Sequence, residues 1–238
     1  MRLSPPWPLH LTVDQLFHAQ GADPATLRQR RPHLVQVAEQ ALEEAATLLA
    51  PRVIVASRAV RAFLNPPDGP ALHLETGIFP LTTTEASLPH WWEPLRYANT
   101  VFFMVSTIGP ALDARVADLQ PTDPLYALMV DALGTAAIDT LGRAVYRRLE
   151  AQIPAGWRLT RPLSPGIGGW PLQLGQRLIF EYVPDASAEI TLLASGQMQP
   201  RKTISMLIGA GARVPRYTGR PCDVCTLRET CHYQGRHL

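Results

Sequence analysis

Residues 161–211 read RPLSPGIGGWPLQLGQRLIFEYVPDASAEITLLASGQMQPRKTISMLIGAG. An arginine opens a rigid Pro/Gly loop, RPLSPGIGGWPL (161–172). The end, SGQMQPRKTISMLIGAG (195–211), is a Met-Gln-Pro turn that runs into an apolar strand. The spacing predicts a short strand over Trp157–Thr160 feeding the loop and a helix over Pro171–Tyr182 with proline in its first turn. Strands are predicted over Ala188–Leu193 and Thr203–Ile208, joined by the Gln199-Pro200 turn.

Working outward, TVFFMVST (Thr100–Thr107) is a continuous apolar run of the kind found in buried strands. Pro124–Gln152 is the strongest helix: Leu125, Leu128, Met129, Ala132, Leu133, Ala136, Leu141, Ala144 and Val145 form one apolar face. Asp131, Thr135, Asp139 and Arg143 stand four apart on another face. Pro110–Leu119 is amphipathic. Further upstream, helices are predicted over Val13–Gln20 and Pro32–Ala50, and strands over Arg52–Phe63 and Ala71–Thr76. Helices and strands do not alternate regularly. The expected class is therefore α+β, with an antiparallel or mixed twisted sheet and flanking helices, not a doubly wound fold.

Composition narrows the function classes. The chain has 238 residues, of which 46% are hydrophobic, enough for a sizeable core. The formal net charge of +2 gives no electrostatic case for a nucleic-acid partner. No unbroken apolar run of about 18 residues is present, so no membrane span is expected. MRLSPPWPLHL, broken by Pro5, Pro6 and Pro8, lacks the apolar centre of a signal peptide, and a cytoplasmic location is the expectation. Two motif fragments carry nothing. Gly209-x-Gly211 lacks a third glycine, and Val214-Pro215 forbids the helix that a dinucleotide fingerprint requires. His18-x-x-Gly21 has Leu16 where a cobalamin-ligating motif needs Asp.

All three cysteines, Cys222, Cys225 and Cys231, fall in PCDVCTLRETCHY. An odd, clustered set is not a secreted disulfide framework and suits a reducing compartment. Cys222 and Cys225 can place two thiolates on one metal, and Cys231 can close the site. Three thiolates with an open position suit an iron–sulfur cluster. Zinc is the alternative, though adjacent Cys231 and His232 cannot easily bind one ion, and free thiols are the third reading. Arg213, Arg216, Arg220, Arg228 and Arg236 make this tail basic. The expected organisation is a domain over 1–212 and a cysteine-containing tail over 213–238 packed on it.

Taken alone, a Gly/Pro cluster marks a turn, and its arginine a surface residue. The loop and strand together, however, resemble the activation domain of vitamin B12-dependent methionine synthase, whose loop has the form Arg-Pro-x-Pro-Gly-Tyr-Pro. Ser195, Met198, Pro200 and Ser205 match that family's later strand-pair motif. Pro165 and Gly166 stand one residue farther from Arg161 than in the long form, and Ile167 replaces its Tyr. The chain is also similar to the family's short standalone members over Ser164–Leu172, Lys202–Gly211 and Cys222–Tyr233.

The resemblance implies a site for S-adenosylmethionine built on Arg161, Pro162, Leu163, Pro165 and Gly166. The Arg161 fork would take the ligand's carboxylate, and backbone groups would meet its adenine. It also places Asp139 where the family has a helix Glu, against the ligand's ammonium group; the other reading of Asp139 is an exposed i, i+4 pair with Arg143. The family's N-terminal Asp and late Tyr have no matching position. The implied role is an accessory protein for reductive methylation, with cobalamin carried by a partner methionine synthase or related corrinoid protein. A metal-binding interaction or electron-transfer module without S-adenosylmethionine is the alternative.

Overall fold

The computed structural model describes residues 3, 5–65, 69–81, 92–216 and 229–230. Its helices are α1 (Val13–Ala19), α2 (Pro24–Arg30), α3 (Pro32–Glu44), α4 (Ala111–Leu119), α5 (Pro124–Gln152) and α6 (Leu172–Tyr182). Its strands are β1 (Arg52–Leu64), β2 (Ala71–Leu74), β3 (Gly77–Pro80), β4 (Thr100–Thr107), β5 (Arg158–Leu159), β6 (Thr191–Leu192), β7 (Met198–Gln199) and β8 (Thr203–Gly211).

Six strands form one sheet in the order β3-β2-β1-β4-β8-β5, every pair antiparallel. The fold is α+β, and the sheet is wholly antiparallel. β4 lies at its centre, and from Val101 to Thr107 every residue of it is buried. The unbroken apolar run follows from cover on both faces. Phe102 and Met104 pack toward the helical layer with Ile208 and Ala210. Val101, Phe103 and Val105 pack the other way, with Phe79, Trp170, Ile179 and Leu207. β1 is long enough to serve two partners: Arg52–Ala59 pairs with β4, and Val60–Leu64 pairs with β2 across an irregularity between Val60 and Ala62. Such a bulge raises local twist and lets the sheet curl.

α5 is the spine of the helical layer. Asp123 caps it by accepting from Tyr126 N at 3.0 Å, and Pro124 fills its first position. It packs against α1, α3 and α4. Glycine lets the sheet and α4 approach it closely. A Cβ on Gly134 would stand 2.5 Å from Leu112 Cδ2, and one on Gly142 would stand 2.9 Å from Ile204 Cδ1. Lys202, at the head of β8, reaches Asp131 at 2.8 Å and Thr135 at 2.9 Å, tying the strand to the helix. α5 is long and apolar enough to cross a membrane by length and composition, but 67% of its most apolar window is buried within the protein itself.

Three sequence expectations are corrected. The α-helix from Pro32 ends at Glu44 and tightens into a 3-10 turn over Ala45–Leu48; Thr47 Oγ1 donates to Glu44 O at 2.8 Å and draws off that helix carbonyl. Ala188–Leu193 is not one strand: a 3-10 turn occupies Pro184–Ala188, and only Thr191–Leu192 is extended. That short strand pairs with β7, not with β8 beyond the Gln199-Pro200 turn. Neither α2 nor β3 was anticipated from the sequence. α2 is set by Asp23, whose carboxylate accepts from Ala25 N and Thr26 N at 3.3 Å, and β3 pairs with β2.

Candidate functional site

The loop of interest leaves the sheet through a bulge. Leu159 lies opposite Ala210 and Leu163 opposite Leu207, so the loop strand carries one residue more than β8 over this stretch. The side-chain alternation therefore slips: Leu159 packs toward the helical layer and Leu163 toward the opposite face. Arg161 and Pro162, both half-buried, occupy the slip.

Thr160 holds this geometry. Its backbone N donates to Gly209 O at 2.8 Å, its Oγ1 accepts from Gly209 N at 2.9 Å, and that hydroxyl donates to Arg161 O at 3.0 Å. A Cβ at Gly209 would crowd Leu95 at 2.9 Å and Thr160 at 3.0 Å, so a larger residue there would press on the clamp. From α5, Tyr146 Oη donates to Thr160 O at 3.1 Å. The residue before Arg161 is thus fixed by both the sheet and the spine helix.

After the bulge, Leu163 exchanges both backbone hydrogen bonds with Leu207, at 2.9 and 2.8 Å, and its side chain is buried. Pro165 is buried as well. Both residues serve to hold the loop down. The chain then reverses tightly: Ile167 N donates to Ser164 O, Trp170 N to Ile167 O, and Gly166 N to Trp170 O. Gly166, Gly168 and Gly169 have φ of +86°, +58° and +77°, a region open to glycine and costly for other residues. Trp170 anchors the loop in the core, edge-on to Trp92 at 5.1 Å and to Phe79 at 6.4 Å. Ile167, at the tip, is 52% exposed. Below, Ser205 Oγ donates to Gln176 Oε1 at 2.8 Å, a buried bond that seats α6 on β8.

Asp139 lies on α5 seven residues before Tyr146, two turns away on the same face and about 10 Å along the axis. Its Oδ2 pairs with Arg143 Nη1 at 3.0 Å, and its side chain is 63% exposed. The i, i+4 pair read from the sequence is present. The carboxylate also stands on the helix that anchors the loop. Tyr146 and Thr160 were missed by sequence reading. Thr160 is legible only as the neighbour of Arg161, and Tyr146 carries no local signal, because its partner is brought to it by the fold. Cys222, Cys225 and Cys231 lie outside the described residues. Among the described residues no group of His, Cys, Asp and Glu is arranged to hold a metal. The chain past β8 stays on the domain as far as Val214, which is buried and whose carbonyl accepts from Arg158 Nη1 at 3.4 Å.

Burial pushes the Tyr146 phenol up to about 12, with the Glu150 charge adding to it, so this group remains a protonated donor at neutral pH. Tyr126 is also pushed up to about 12, first by burial and then by its bond to Glu44 Oε2 at 2.7 Å. The same bond lowers the Glu44 carboxyl. A sign follows. Above the free-phenol value of about 10 the unfolded chain releases these protons and the folded chain keeps them, so stability is full below about pH 10 and falls toward pH 12. Denaturant midpoints at roughly pH 9 and pH 11 check this, and they should drop at the higher pH. Tyr146→Phe should flatten part of the drop.

No protein-family model matches this chain, and no curated protein matches it. Among solved structures it is similar to a crystal structure of the MetH reactivation domain bound to AdoHcy, with a TM-score of 0.60 over 87% of this chain and 79% of that one. Identity is 13%, so the likeness is one of fold: the same α+β arrangement of an antiparallel sheet and flanking helices.

Proposed function

We propose that the chain binds S-adenosylmethionine at the Arg161 loop and serves as a reactivation partner for a cobalamin-dependent methionine synthase or related corrinoid methyltransferase. The observation that carries this reading is the placement of two opposite charges. Arg161 is set in a bulge clamped by Thr160 and Tyr146, and Asp139 stands on the same face of the same helix as Tyr146. The guanidinium would take the carboxylate of an amino-acid moiety and the carboxylate its ammonium group. Pro162 and Gly166 shape the approach; Leu163 and Pro165 support it from beneath. The fold shared with the MetH reactivation domain, which binds AdoHcy, supports the same ligand class here.

Bound S-adenosylmethionine would supply a methyl group to a reduced corrinoid on the partner. The chain's own part is to orient the donor and present it at a docking surface. Calorimetric titration with S-adenosylmethionine tests the reading directly: saturable binding at one site per chain supports it, and the absence of binding removes it.

One observation favours the second reading, a metal-binding interaction module without S-adenosylmethionine: Asp139 is already paired with Arg143. For that module, and for any electron transfer to the partner, Cys222, Cys225 and Cys231 are the proposed ligands. If they hold an iron–sulfur cluster, protein purified without oxygen is brown, and replacing any one of them by Ser bleaches it, because three ligands leave no redundancy. Zinc gives a colourless protein with about one ion per chain and the same sensitivity to mutation. Three freely titrating thiols and no stoichiometric metal would sink both.

A further inference from the structure

A cleft of about 370 Å3 lies between the N-terminal segment and α5, lined by Pro8, His10, Gln15, Thr140, Arg143 and Arg147. Its lining brings together two guanidinium groups and an imidazole, with no carboxylate. Both walls are fixed. The N-terminal segment is pinned by Trp7, which is buried in the core under the Arg148 guanidinium at 4.2 Å, while Arg148 Nη2 donates to Pro6 O at 3.2 Å. Gln15 is held by the cap of α1, accepting from Thr12 N at 2.8 Å, and its Nε2 donates to Thr140 Oγ1 at 3.4 Å across the floor.

The charge of this cleft is unbalanced. Asp139 neutralises Arg143 from one side. Arg147, one turn on, has no ion-pair or hydrogen-bond partner among the described residues, and neither does His10. Like charges at i and i+4 repel, and an anion between them relieves that repulsion. A solvated helix face would have no opposing wall; here the N-terminal segment supplies one, carrying a further nitrogen donor. A carboxylate has two oxygens and is matched by one guanidinium fork. A phosphoryl group has oxygens enough for both forks and the imidazole. The cationic lining is also wrong for the sulfonium and ammonium of S-adenosylmethionine.

We propose that the cleft between the N-terminal segment and α5 is a binding site for a phosphoryl-bearing ligand, held by Arg143, Arg147 and His10. Its volume takes a diphosphate together with a small organic part. The test is calorimetric titration of the full chain with inorganic pyrophosphate at fixed ionic strength. Saturable binding is expected, weakened about tenfold by Arg147→Ala and by His10→Ala, with citrate weaker than pyrophosphate. Arg161→Ala should leave this binding unchanged, so the result stands apart from the S-adenosylmethionine reading. Arg201→Ala, an exposed cation elsewhere, should also leave it unchanged. The proposal is overturned by the absence of saturable heat or by undiminished affinity in Arg147→Ala. An equal loss in Arg201→Ala, which would mean diffuse surface charge, or citrate binding as tightly as pyrophosphate, would also overturn it.

Discussion

Trp170→Ala is expected to lower the unfolding free energy by about 3–5 kcal/mol, the range for removing a buried Trp or Phe from a core. The ring is 1% exposed and packs edge-on against Trp92 and Phe79. Its neighbour Gly175 leaves no room for adjustment, since a Cβ there would stand 2.8 Å from the indole. The indole Nε1 has no hydrogen-bond partner among the described residues, so the loss is one of packing and cavity formation. Trp170→Phe keeps part of the aromatic contact and should cost distinctly less. Urea unfolding followed by circular dichroism measures both. A loss under about 1 kcal/mol for the alanine variant would mean that the Pro/Gly loop is not anchored through this ring. The consequence for function is direct, because Trp170 closes the loop whose other end carries Arg161.

The central elements were legible because local signals and tertiary demands agree there. Thr100–Thr107 and Pro124–Gln152 were read with their final boundaries. The first is apolar on both faces and covered on both; the second has its cap at Asp123, proline at its first position and a wide apolar face. Where one kind of signal was absent, the reading failed. α2 (PATLRQR) offers no apolar stripe and is fixed by the Asp23 cap, whereas β3 (GIFP) is short, ends in proline, and is defined by its pairing with β2. Ala188–Leu193 has strand composition, but its first part completes the 3-10 turn that follows Pro184, and Ile190 is drawn into the core beneath it. For the site, the Arg161 loop showed itself through its prolines and glycines. The clamp on it did not. The bulge opposite β8 and the Tyr146–Thr160 bond exist only once α5 lies across the sheet, and nothing in the local sequence of Tyr146 records that.

Arg161→Ala should abolish measurable S-adenosylmethionine binding while leaving the fold intact. Removing one member of a charged, hydrogen-bonded pair costs on the order of 2–5 kcal/mol, roughly thirtyfold to several thousandfold in affinity. The fold should tolerate the change. Arg161 sits in the bulge, not in the core, and the bonds from Thr160 to the Arg161 carbonyl and to Gly209 do not involve the guanidinium. Asp139→Asn provides the internal comparison. Asp139 is largely exposed and already engaged by Arg143, so its loss should be smaller and confined to ligands that carry the amino group. A ligand lacking the carboxylate but retaining the amine should bind the Arg161→Ala protein as it binds the wild type. Calorimetry with the two ligands against the two variants separates the roles. Equal S-adenosylmethionine affinity in wild type and Arg161→Ala would take Arg161 out of the site. An equal loss of both ligands would point instead to collapse of the loop, which the urea midpoint of the same variant would reveal.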